Sequence, residues 1–266
     1  MSTPITGIIG AGMMGEAILA GLLASGRPKD SVVVGEKLPA RAAELREKYA
    51  VDVVSTLEVA ERADTLLVLV KPYDVDAALQ EVSGSLRAGQ LVVSLAAGVP
   101  IAFLEERVPE GVAVARVMPN TPAMVGEGMA AVSPGSACTE EQTAEVVDLL
   151  SGVGRAIVVP EKQQDAVTAV SGSGPAYVFY VAEAMIEAGV HLGLARPTAT
   201  ELAAQTLVGA ATMLRDSGTH PSILREQVTS PGGTTAAALR KLDDHAVRAA
   251  FLDAMEACRD RSVELG

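Results

Sequence analysis

Two stretches of the chain carry residue types suited to binding anions. The first is TSPGGTT, residues 229–235, followed by AAALRKL. A Pro-Gly-Gly turn ahead of two threonines and a run of helix formers predicts a helix start. The first backbone N–H groups of a helix have no partner within it, and the helix dipole adds partial positive charge there. The pattern therefore suits a small anion bound on backbone amides around Gly233, Thr234 and Thr235, with the two hydroxyls as further donors. It also suits a purely structural cap with Ser230, Thr234 or Thr235 as the N-cap residue.

The second stretch is Gly10-Ala11-Gly12-Met13-Met14-Gly15, which fits G-x-G-x-x-G. It directly follows a predicted strand at 5–9 and opens a predicted helix at 16–24. In that setting Gly10 permits the tight turn, Gly12 lets backbone approach a pyrophosphate, and Gly15 allows close helix–strand packing. The next predicted strand, 31–34, runs into GEKLPAR. Glu36 would accept hydrogen bonds from adenosine ribose hydroxyls, the NAD pattern. Lys37 and Arg41 would pair with a 2′-phosphate, the NADP pattern, or they would simply begin a solvated helix. Ligands in open α/β sheets lie at the carboxyl ends of strands. This adds Leu69, Val70, Lys71 and Pro72, then Leu95, Ala96 and Ala97, and Asn120 toward the nicotinamide end.

These motifs need elements to hold them. Short apolar runs at 5–9, 31–34, 51–54, 65–70, 91–95, 112–117, 130–133 and 157–159 alternate with helical patterns at 16–24, 40–49, 75–83 and 140–151. Such alternation predicts βαβ units and a mostly parallel sheet. After about Pro160 the strands give way to helical patterns at 165–170, 176–192, 198–216, 222–228, 235–242 and 245–265. The expected class is α/β, a Rossmann-type dinucleotide-binding domain at 1–160 followed by an all-helical domain at 161–266. The helices at 176–188 and 203–214 are apolar with few charges, which fits either a dimer interface or packing among themselves.

The formal charge of −12 argues against nucleic acid or an anionic membrane as partner. Cys138 and Cys258 stand far apart, and His191, His220 and His245 are scattered, so neither a disulfide framework nor a metal site is expected. No basic segment with a long apolar run precedes the first strand, and the aliphatic stretch 66–70 is too short to span a membrane. The cytoplasm is the expected compartment.

Taken in order, GIIGAGMMGEAI, LVLVKP, VVSLAAGV, RVMPNTP, DAVTAVSGSGPAYVF and REQVTSPGGTTAAAL resemble the pyrroline-5-carboxylate reductase family over nearly the whole chain. The resemblance implies a Rossmann domain and a helical domain that interleaves with its partner in a homodimer, with larger oligomers in many members. It implies reduction of L-1-pyrroline-5-carboxylate, a cyclic imine carboxylate, to L-proline with NADPH, NADH being the alternative donor. The anion at TSPGGTT would then be the substrate carboxylate. The resemblance carries over Thr235 as the residue whose hydroxyl meets the substrate, Thr234 through its main chain, and Gln227 as a ligand contact. It also carries over Thr56 and Glu161 as positions near the cofactor.

Rival readings are a reductase of another cyclic imine, a β-hydroxyacid dehydrogenase, and a non-catalytic dinucleotide-binding module. The dehydrogenase needs a base to take an alcohol proton, typically a lysine after a turn such as Ser171-Gly172-Ser173-Gly174. Residues 175–179 contain no lysine. A module that only binds the dinucleotide would not need a second anion site.

Overall fold

The computed structural model describes residues 3–266. The chain forms two compact units: residues up to Ser173 together with Cys258–Gly266, and residues Gly174–Ala257.

The first unit is built on one eight-stranded sheet of order β3-β2-β1-β4-β5-β6-β7-β8. The strands are β1 (Thr6–Ile9), β2 (Val32–Gly35), β3 (Asp52–Val54), β4 (Thr65–Val68), β5 (Leu91–Ser94), β6 (Ala113–Met118), β7 (Gly128–Pro134) and β8 (Gly154–Val158). The helices are α1 (Met13–Ala24), α2 (Pro39–Tyr49), α3 (Thr56–Arg62), α4 (Val75–Val82), α5 (Ile101–Glu105), α6 (Glu140–Ser151) and α7 (Gln164–Val167). All four residues of β1, β2, β4 and β5 are buried. Their side chains alternate between two apolar layers. Ile8, Val32, Val34, Leu67 and Val93 face one, and Ile9, Val33, Leu66, Val68 and Val92 face the other. A parallel sheet covered on both faces has this signature.

The sheet is parallel except where β6 meets β7. Residues 119–127 join those strands, too short a connection for a parallel crossover. The longer connection through α6 restores parallel pairing between β7 and β8. Two short helices, α3 and α5, have too few residues to display a period. The first is held by its N-cap, Ser55, whose hydroxyl accepts from the Glu58 N–H at 3.2 Å.

The second unit is helical: α8 (Gly174–His191), α9 (Arg196–Ser217), α10 (Pro221–Gln227), α11 (Thr234–Asp244) and the start of α12 (Val247–Leu265). Helices α8 and α9 pack closely, because a Cβ on Gly189 would lie 3.0 Å from the Ala199 Cβ. Among its hydrophobic residues only Ala199 and Ala203 are buried, whereas Phe179, Tyr180, Leu192, Leu202 and Leu252 are exposed. This unit has almost no core of its own. The last turns of α12 belong to the first unit, where Ser262 donates to Asp165 at 2.7 Å.

Candidate active site

The glycine loop has the geometry of a phosphate cradle. Gly10 lies at φ +94°, and a Cβ there would stand 2.8 Å from the Leu69 carbonyl oxygen. Gly15 packs so tightly that a Cβ would collide with the Gly10 carbonyl. A Cβ on Gly12 would meet nothing within 4 Å. Gly12 is the N-cap of α1, and no side chain caps the helix. No side chain covers the first-turn amides, and the residues present fit a dinucleotide pyrophosphate. Ala11 is buried beneath the loop, Met14 is half-buried and Met13 is exposed.

A cluster that the sequence did not announce braces this loop. The Glu16 carboxylate, on α1, accepts from Arg41, from Lys48 Nζ at 2.8 Å and from the Tyr49 hydroxyl at 2.8 Å. Arg41 also reaches the Ala11 carbonyl at 3.3 Å and pairs with Glu44 at 2.8 Å. Lys48, then Arg41 and Tyr49, hold the Glu16 carboxyl at a pKa of about 2. Glu44 and Glu16 in turn raise that of Arg41. Arg41 is therefore committed to bracing α2 against α1 and the loop.

An open cleft of about 610 Å³ lies beside the ends of β2 and β3, where the sequence predicts the adenosine, lined by Glu36, Lys37, Arg46, Ser55, Thr56 and Glu81 among others. Glu36 accepts from the Leu38 N–H at 2.9 Å, and Lys37 pairs with Glu81 at 2.7 Å. Thr56 is buried at the start of α3.

The other strand ends divide into two groups. Leu69 and Val70 are half-buried, while Lys71 and Pro72 are exposed. Lys71 has no acidic partner among the described residues and is available to a ligand. Leu95 and Ala96 are buried and Ala97 is exposed. Asn120 and Glu161 instead have protein partners. Asn120 accepts from the Met129 N–H at 2.8 Å and donates to the Ser171 carbonyl at 3.1 Å. Its second amide hydrogen has no acceptor among the described residues. Glu161 accepts from the Ile101 N–H at 2.7 Å, satisfying the start of α5, and pairs with the buried Arg116 at 3.2 Å.

The turn at 229–235 lies in the helical unit. Gly232 adopts φ +68°, and the Gly233 N–H donates to the Ser230 carbonyl at 3.0 Å. The N-cap of α11 is Gly233, and no side chain caps it. None of Ser230, Thr234 and Thr235 caps this helix. The hydroxyls of Thr234 and Thr235 make no hydrogen bond among the described residues. Thr235 is half-buried and Gln227, at the end of α10, is exposed. The site offers amides and hydroxyls to an anion at neutral pH without a titrating group.

No group of His, Cys, Asp and Glu among the described residues could hold a metal ion. No helix among them is long and apolar enough to cross a membrane. Both cysteines are free thiols, and burial pushes that of Cys138 up.

The family model described as pyrroline-5-carboxylate reductase dimerisation matches residues 161–265. The model described as NADP oxidoreductase, coenzyme F420-dependent, matches residues 5–98. The chain is 46% identical to a pyrroline-5-carboxylate reductase of Corynebacterium melassecola over 263 residues, covering 97% of each. Among solved structures, it is similar to a pyrroline-5-carboxylate reductase of Coxiella burnetii, with a TM-score of 0.96, 33% identity, and 100% and 99% of the two chains covered. It is also similar to a Plasmodium falciparum pyrroline carboxylate reductase with NADP bound, with a TM-score of 0.87, 29% identity, and 100% and 99% covered.

Proposed function

The chain belongs to the pyrroline-5-carboxylate reductase family, and on that premise we propose how its residues serve the reduction of L-1-pyrroline-5-carboxylate to L-proline, the last step of proline biosynthesis. The observation that carries the reading is the uncapped start of α11, with two threonine hydroxyls that have no partner among the described residues.

The substrate carboxylate sits beside Gly233 on the amides of Thr234 and Thr235, held by the helix dipole, the Gly233 N–H being already used by the Ser230 carbonyl. Thr235 adds its hydroxyl near the carboxylate or the ring nitrogen, and Ser230 and Gln227 border the turn. The glycine loop 10–15 holds the pyrophosphate of NAD(P)H, with Glu36, Lys37 and Thr56 at the adenosine. Leu69, Val70, Lys71, Pro72, Leu95, Ala96, Ala97, Asn120 and Glu161 belong to the remainder of that cofactor site. The dinucleotide, when bound, supplies the hydride. A protonated C=N group is already electrophilic, so the chain's contribution is binding and orientation. This fits a site in which the substrate turn offers hydroxyls and amides but no general base.

The proposed division of labour is a cofactor part at 1–160, with Glu161 at its junction, and a substrate and dimerisation part at 161–266, of which residues 161–173 and 258–266 fold with the first unit. The helical part pairs with a second copy, because the apolar surface of α8 and α9 has too little of its own chain to cover it. Such dimers assemble further into a larger oligomer. Two free thiols and the biosynthetic reaction fit the cytoplasm. Thr235→Ala tests the placement of the substrate. Loss of a hydrogen bond to a charged group costs about 1.5–3 kcal/mol, so kcat/KM should fall roughly tenfold to a hundredfold. The Kd for NAD(P)H should stay unchanged. Wild-type steady-state kinetics in this variant would refute the placement.

A further inference from the structure

The adenosine cleft carries a charge arrangement that its motif residues alone do not explain, and the following rests on the cofactor reading above. We propose that Glu81 is a specificity-determining residue for the dinucleotide: by engaging Lys37 it holds down the affinity that a 2′-phosphate would gain. Glu81 lies on α4, far in sequence from the glycine motif and from the end of β2.

Four charged side chains line the cleft: Glu36, Lys37, Arg46 and Glu81. Each has a protein partner. Lys37 Nζ pairs with Glu81 Oε2 at 2.7 Å. The Arg46 guanidinium donates to the Val53 carbonyl. Glu36 is fixed by the Leu38 N–H, which leaves its other oxygen for ribose hydroxyls. Nearby Arg41 is committed to Glu16, Glu44 and the Ala11 carbonyl. The two carboxylates formally cancel the two cations.

A 2′-phosphate brings a charge of about −1.5 to −2 at neutral pH. To gain Lys37 it must compete with Glu81 while facing Glu36. A free 2′-hydroxyl meets neither cost, because it can donate to Glu36. The Lys37 side chain is 73% exposed and that of Glu81 35%, so the pair is partly screened. An exposed ion pair of this kind corresponds to about a two- to fivefold change in affinity.

The test is a fluorescence titration of the purified protein with NADPH and with NADH, on wild type, Glu81→Gln, Lys37→Met and the double variant. The expected result is about threefold tighter NADPH binding in Glu81→Gln, with NADH little changed. Most of that gain should disappear in the double variant and shrink as salt is raised. Three outcomes would overturn the proposal: an unchanged ratio in Glu81→Gln, an equal shift for both dinucleotides, or a gain that persists in full without Lys37. Failure of wild type to bind either dinucleotide would overturn the cofactor reading itself, a result distinct from an unaltered ratio in protein that binds both.

Discussion

Gly12 and Gly15 sit three residues apart in one motif and answer different demands. At Gly15 a side chain has no room, because its Cβ would collide with the Gly10 carbonyl inside the protein. At Gly12 a Cβ would meet nothing within 4 Å in the free protein, and on the proposed cofactor placement a side chain there would intrude on the ligand. Gly15→Ala should therefore destabilise the fold by about 1–3 kcal/mol in urea unfolding. Gly12→Val should leave unfolding nearly unchanged and abolish NAD(P)H binding in a fluorescence titration. A Gly12→Val protein that binds NAD(P)H as wild type does would remove the loop from the cofactor site. The same contrast applies at the second motif. There the sequence could not distinguish a capping hydroxyl from a free one. Backbone geometry makes the distinction by placing Gly233 at the N-cap.

At the scale of elements, Glu16 couples α1 to α2 through Arg41, Lys48 and Tyr49. Its carboxyl has a pKa of about 2 against an ordinary 4.5. A carboxyl depressed on folding contributes stability that is full above its unfolded pKa and is lost as pH falls through the folded one. The stability deficit of Glu16→Gln relative to wild type should accordingly be largest at neutral pH and shrink between about pH 5 and pH 2. A deficit that does not vary with pH would mean the carboxylate contributes no charge interaction. This network, and the pairing of Lys37 with Glu81, were not legible in the sequence because they join residues on separate elements. The strand–loop–helix order of the first unit was legible, since each buried strand leaves an apolar run and each longer helix leaves a period. Helices α3 and α5 were not, being too short to show one. Nor was the reversal at β7, which depends on the length of the connection rather than on composition. Asn120 and Glu161 could be placed at strand and domain ends, but their hydrogen bonds to Met129, Ser171 and Ile101 depend on tertiary packing.

For the whole molecule, the helical unit raises a question of stability. Residues Gly174–Ala257 bury two alanines among their hydrophobic residues and expose Phe179, Tyr180, Leu192 and Leu252. A unit of this kind gains its core by association. Its Tm should therefore rise with protein concentration, because binding a second copy stabilises the folded state by mass action. Sedimentation at micromolar concentration should give a dimer or a multiple of one. A monomer with a concentration-independent Tm would contradict the association.

The most direct measurement is NAD(P)H oxidation by the purified protein with L-1-pyrroline-5-carboxylate, NADPH and NADH being run in parallel. Rapid, substrate-dependent oxidation with formation of L-proline is the predicted result. No oxidation with either cofactor, in protein shown to be folded and to bind the dinucleotide, would contradict it.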